Sequence, residues 1–234
     1  MLTTTRRFRL FELSCLIALL SAPSVADAAD PSTPTGPKSG ELAPVLVFTD
    51  ILGVESGSVA YPEHIQIVSF ATQETSEHLM AWMSGLTKKI ATSYPNLSLV
   101  YFSFADLTEV PAFLRPIARP ILESMIGSEI EPMQQRFKAK AAAPGLPAPK
   151  APEFHLIADW DGSFLEQFGY GVLQGYHCWV IHKGRVMGHF TPKTPNKDEA
   201  FVALFGELQA GREDERKVAS PRPSSEPTDY RGTR

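Results

Sequence analysis

The stretch SFATQETSEH, residues 69–78, sets Glu74, Glu77 and His78 close together at the start of a run with helical spacing. Two carboxylates and an imidazole are donors for a divalent cation, and acids in a first turn also complement the helix dipole. A second group, Tyr176-His177-Cys178, sets an imidazole beside a sulfur. Carboxylate, imidazole and thiolate together suit zinc or copper, and a thiolate alone is a nucleophile. Strand alternation would send His177 and Cys178 to opposite faces, and a free cysteine in a core strand usually packs as a small apolar group. Asp159 and Asp161 could serve acid–base work, but Asp-x-Asp-Gly is also ordinary turn chemistry. His155, His182 and His189 fall on strand segments without a metal-ligand spacing. Arg115 and Arg119, on an apolar helical face with Phe113, Ile117, Ile121 and Leu122, could ring a partner groove. No Gly-rich phosphate loop or Ser-His-Asp arrangement is legible.

The elements that must position these residues alternate. Val45–Phe48 reads as a strand, a turn at Asp50–Gly53 leads to a weak strand ending near Tyr61, and the β-branched run Ile65–Phe70 reads as a buried strand. Ser76–Thr92 is helical, with Leu79, Trp82, Met83, Leu86 and Ile90 on one face and Thr75 or Ser76 as the N-cap. Leu97–Phe104 is a strand, Phe113–Ile126 a helix that Glu129–Lys140 extends or follows, and Phe154–Ala158 a short strand. One helical turn at Phe164–Phe168 precedes a hairpin of Tyr176–His182 and Arg185–Phe190 across Lys183-Gly184. Asn196 or Asp198 caps a last helix through Leu208. This order implies an α/β layer structure with a mixed sheet.

Three segments stand apart. Arg6, Arg7 and Arg9, the apolar Leu13–Leu20 and the small Ala26-Asp27-Ala28 read as a signal peptide over residues 1–28. The apolar run is too short for a stable membrane span, and its removal takes Cys15 and leaves Cys178 unable to form an internal disulfide. Retention as an uncleaved anchor is the alternative. Residues 29–43 read as a flexible leader, 139–153 as an Ala/Pro linker, and 210–234 as a charged, disordered tail around a domain spanning 44–209. A net charge of −4 with scattered signs argues against nucleic acid as a main partner.

The order of elements resembles the thioredoxin-like superfamily in its exported TlpA/redoxin branch, and more weakly the periplasmic YtfJ-type proteins. The likeness rests on four places, in order: Leu46–Asp50 with Gly53; Ile67–Thr72; Ile157–Gly162 followed by Phe168-Gly169; and Cys178–Val186. It implies a mixed central sheet flanked by helices, with an N-terminal β-hairpin. It also implies that Glu74 and Glu77 stand where the family has paired cysteines, and that Tyr176 stands near its cis-proline.

A carboxylate can neither attack a disulfide nor resolve one, so dithiol exchange is not expected. The resemblance would bring the 73–77 and 176–178 segments together. The expected site is then a degenerate corner of Gln73, Glu74, Glu77, His78, Tyr176, His177 and Cys178; Trp82 and Trp179 are further lining candidates, although such residues are more often core. The expected role is an adaptor or assembly factor, periplasmic or secreted, that binds another exported protein or a peptide segment. It has no cofactor and leans away from enzyme activity. Two alternatives remain: a metal-binding or metal-delivery protein using Glu74, Glu77, His177 and Cys178, and a single-cysteine thiol redox protein.

Overall fold

The computed structural model describes residues 36–125, 135 and 152–219. The signal, the first part of the leader, most of the Ala/Pro linker, nearly all of the 129–140 segment and the end of the tail lie outside the described residues. Strands β1 (Val47–Thr49) and β2 (Glu55–Gly57) form an antiparallel pair. The central sheet is built from β3 (Ile65–Ala71), β4 (Leu99–Asp106), β5 (Glu153–Asp159), β6 (His177–His182) and β7 (Arg185–Phe190) in the order β5-β4-β3-β6-β7. The β3–β4 and β4–β5 pairs are parallel, while β6 and β7 run antiparallel to their neighbours. Helices α1 (Gln73–Ser93), α2 (Arg115–Met125), α3 (Ser163–Gln167) and α4 (Lys197–Ala219) connect and cover it. The α/β class, mixed sheet, flanking helices and N-terminal strand pair are as the resemblance implies.

Alternation along the central strands sorts the core into two layers. From β3, Ile65 and Ile67 meet Leu79, Met83, Leu86 and Ile90 of α1 and Phe201, Phe205 and Leu208 of α4. Val68 and Phe70 face the opposite side, against Leu46, Phe48, Phe102, Phe104, Phe168 and Trp179. Every residue of β3 is buried, which suits a strand with neighbours on both edges and layers on both faces.

Several boundaries differ from the sequence reading, each for a local reason. Helix α1 starts at Gln73 with Thr72 as N-cap, because the Thr75 hydroxyl turns back to accept the Thr72 amide at 3.1 Å. Thr75 and Ser76 are therefore inside the helix. The last helix starts after Asn196, whose carbonyl accepts the Ala200 amide at 2.9 Å, whereas Asp198 accepts the Trp82 indole N–H at 2.6 Å.

That helix also continues to Ala219, past the boundary placed at residue 209. Lys183 donates to both carboxylate oxygens of Glu215 at 2.7 and 2.8 Å, and Arg212 donates to the Glu63 carbonyl at 2.6 Å. These contacts tie a charged, apolar-poor stretch to the sheet end. The end of the leader is likewise ordered: Gly40 donates to the Val186 carbonyl at 2.7 Å and Val186 to that of Glu41 at 2.9 Å, along the outer edge of β7. The hairpin turn sits on Lys183-Gly184 as expected, with φ of 50° and 71°, the left-handed pair of a type I′ turn.

Candidate functional site

At the carboxyl end of β3 the chain enters α1, and the loop before β6 reaches the same end of the sheet. The Thr75 hydroxyl donates to the Gly175 carbonyl at 3.3 Å, so the start of α1 touches the loop leading to Tyr176. Gln73, Glu74, Glu77 and His78 face solvent on the first turns of α1.

The other expected members of the corner are differently placed. Tyr176 is covered: it stacks on Trp82 at 5.6 Å between centroids, and its hydroxyl accepts from the Lys197 ammonium at 2.7 Å. That ammonium also lies 5.3 Å from each ring centroid, a cation–π contact joining α1, the β6 loop and α4. Trp82 is half-buried, with its indole N–H taken by Asp198. Trp179 is fully buried between Phe70, Phe168, Tyr170 and the histidines. It belongs to the core and lines no open face.

Cys178 and His177 part at the sheet. Cys178 is 0% exposed in the layer under α1 and α4, and burial pushes its thiol well above the ordinary range. His177 lies on the opposite face, within hydrogen-bond reach of His189 at 3.0 Å. With Glu74 and Glu77 exposed, Cys178 sealed and His177 across the sheet, the proposed carboxylate–imidazole–thiolate set does not assemble. Among the described residues, no group of three or more His, Cys, Asp or Glu side chains is placed to hold a metal ion. Cys178 likewise offers no exposed thiol to a partner.

Asp159 and Asp161 do turn chemistry. Asp159 accepts the Leu165 amide at 3.2 Å and Asp161 the Ser163 amide at 3.1 Å, both at the start of α3. Burial raises the Asp159 carboxyl, whereas the Ser163 bonds lower that of Asp161. Arg115 donates to the Trp160 carbonyl at 3.1 Å, and Arg119 pairs with Glu123 at 3.1 Å.

Two arrangements escaped sequence reading because their members are far apart in the chain. One is the His177–His189 pair. The other is a chain in which His155 Nδ1 lies 3.0 Å from an Asp50 carboxylate oxygen and Nε2 lies 2.9 Å from the Tyr61 hydroxyl. The signal available was only that all of these residues sit on or beside core strands.

No family model matches the chain, and no curated protein does. Among solved structures, it is similar to a thiol:disulfide interchange protein of the thioredoxin family from Chlorobium tepidum TLS, with 14% identity over 79% of this chain and 99% of that one and a TM-score of 0.44. It is also similar to thiol peroxidase from Chromobacterium violaceum, with 14% identity, coverage of 78% and 92%, and a TM-score of 0.44. A third is the exposed lipoprotein thioredoxin of Streptococcus pneumoniae strain TIGR4, with 15% identity, coverage of 70% and 99%, and a TM-score of 0.42. Similarity at this level carries none of those proteins' chemistry to this chain. By its own sheet order, its parallel passage from β3 through α1 to β4 and its closing β6–β7 hairpin, the chain has a thioredoxin-like fold.

Proposed function

We propose that this is an exported thioredoxin-like protein without dithiol chemistry, which acts by binding a segment of another exported protein at the start of α1. The observation that carries this reading is the pairing of an exposed Gln73-Glu74-x-x-Glu77-His78 surface with a sealed Cys178. The first two turns of α1 present carboxylates, which form no mixed disulfide. The only sulfur among the described cysteines is out of reach. The cationic start and short apolar run of residues 1–20 support export. Among the described residues no helix is long and apolar enough to cross a membrane.

The binding face is narrower than the sequence reading had it. It comprises Gln73, Glu74, Glu77 and His78, with the adjoining 169–176 loop as its wall, and Tyr176 serves from beneath by holding that loop. A photo-crosslinking residue at position 77, in protein expressed with its own leader, tests this. The expected result is one reproducible partner that disappears when Glu74 and Gln73 are changed to Lys, while a crosslinker at Lys89 does not capture it. Reductase activity toward an insulin disulfide, or capture indifferent to both changes, would overturn the reading.

A further inference from the structure

The histidine pair behind the 169–176 loop is a cluster of titratable groups that the binding reading leaves unused. His177 opens β6 and His189 lies near the end of β7, across from Trp179. Nδ1 of His177 and Nε2 of His189 are 3.0 Å apart, a separation that needs one hydrogen between them, donated by one ring and accepted by the other. Aromatic rings enclose the pair: Trp179 lies parallel to His189 at 4.3 Å, and Tyr170 meets His177 edge-on at 4.5 Å.

From β6 comes the Trp179 ring, from the loop the Tyr170 ring and the Gln174 carbonyl, and from β7 His189 itself. Gly36, from the segment before β1, closes over Tyr170. Tyr170 is titratable, but burial raises its phenol, so it stays neutral. Among the described residues no carboxylate, ammonium or guanidinium acts on either imidazole.

We infer that the His177–His189 contact is an acid-sensitive latch on the 169–176 loop, closed while one hydrogen fills the gap between the rings and open when both rings are fully protonated. The proton count sets this behaviour. One added proton can go to an outer ring nitrogen and leave the bond in place. A second must go to the gap nitrogen that was accepting, which sets two N–H groups and two positive charges head to head with no counterion. The rings then part.

His177 begins β6, so parting loosens the loop that leads into it. That loop is tied to α1 by the Thr75–Gly175 bond and to α4 by the Lys197–Tyr176 bond. Burial holds both rings below the usual histidine range, His189 down to about 4, which keeps the latch closed at neutral pH. The latch stands whether or not the loop walls a binding face.

Amide hydrogen exchange resolved by NMR tests it, on the full chain at pH 7 and pH 4, expressed as protection over the intrinsic rate. Protection at residues 170–176 is expected to fall about tenfold or more in acid, while β3 and β4 amides hold theirs. His189→Phe keeps a ring on Trp179 and leaves His177 alone to titrate without a second charge to meet, so its loop protection is expected to fall much less in acid than that of the unaltered chain. An equal acid response in that variant would overturn the latch. Should it not fold, the imidazole nitrogen shifts of the unaltered chain decide. Both rings gaining protons over the range in which the loop opens supports the latch, and both gaining protons with the loop still protected overturns it.

Discussion

Cys178 shows how position overrides residue type. A thiol is the most reactive group in the described chain, yet this one is sealed between Ile67, Tyr101, Val180 and the α1–α4 layer and is held protonated by burial. With Cys15 changed to Ser, so that one thiol remains, a maleimide is expected to leave the native protein unlabelled at pH 8 and to label it fully in urea. Rapid native labelling would restore the thiol reading. Cys178→Ser is expected to lower stability by about 1–3 kcal/mol, because it sets a hydroxyl into an apolar layer where the Ser69 hydroxyl opposite already pairs with Ser103 at 3.1 Å. The depressed histidines make a second prediction at this scale. His177, His182 and His189 all titrate lower in the folded chain, mainly through burial. The unfolded chain therefore binds more protons below the ordinary histidine value of about 6.5, so their contribution is complete above that value and is lost as pH falls toward 4. The urea midpoint is expected to drop between pH 7 and pH 5, and His189→Gln to reduce the drop. A midpoint constant over that range would contradict the burial of these rings.

Elements are joined here by polar links that a sequence does not advertise. Asp50, in the turn after β1, accepts the Leu52 and Val54 amides at 3.0 and 2.9 Å with one oxygen and holds His155 of β5 with the other. His155 passes the link to Tyr61, ahead of β3, so one imidazole bolts the N-terminal strand pair and the approach to β3 onto β5. The Asp50 and His155 side chains are only 5% and 10% exposed, so losing the imidazole strands a buried carboxylate oxygen. His155→Phe keeps ring packing against Phe48 and Phe102 and is expected to cost about 2–3 kcal/mol, with exchange of β1–β2 amides rising before that of β3. Tyr61→Phe removes the hydroxyl but leaves the Asp50–His155 pair in place and should cost about 1 kcal/mol. The reverse order of effects, measured by urea unfolding, would mean that the bolt is Tyr61 and not the imidazole. Periodicity made the elements themselves legible: the buried run of β3, the Leu79–Ile90 face of α1 and the Lys183-Gly184 hairpin all follow from spacing. Partnership did not follow, because hydrogen bonds between residues 50 and 155, or 177 and 189, leave no periodic trace. The burial of Tyr176 and Trp179 left no periodic trace either, since an aromatic suits a binding face and a core equally well and only the packing decides.

Over the whole molecule, an open five-stranded sheet must deal with two edges, and this one covers each with chain from its N-terminal part. At β5, Ile51 of the turn after β1 donates to the Leu156 carbonyl at 2.8 Å. At β7, residues 40–43 act as a short strap: Gly40 and Val186, Glu41 and Val186, and Ala43 and Gly184 are linked by backbone bonds, and the Arg185 guanidinium holds the Gly40 carbonyl at 2.8 Å. A Pro/Gly/Ser-rich composition reads as free leader because it has no apolar period, yet edge pairing requires only backbone donors and acceptors. Gly40 is the point of greatest sensitivity. Its φ of 89° is open to glycine, and its amide is one of the strap's donors. Proline fixes φ near −65° and has no amide hydrogen, so Gly40→Pro removes the donor and reverses the turn in one step. With the strap lifted, β7 exposes unpaired backbone groups beside Leu42, which is already 72% exposed. The variant is expected to keep its far-ultraviolet spectrum and to self-associate with rising concentration by light scattering, where the unaltered chain does not. Gly40→Ala, strained in φ but still carrying its amide, should fall between the two. A monomeric Gly40→Pro with unchanged exchange at β7 would show that the strap is not what guards that edge.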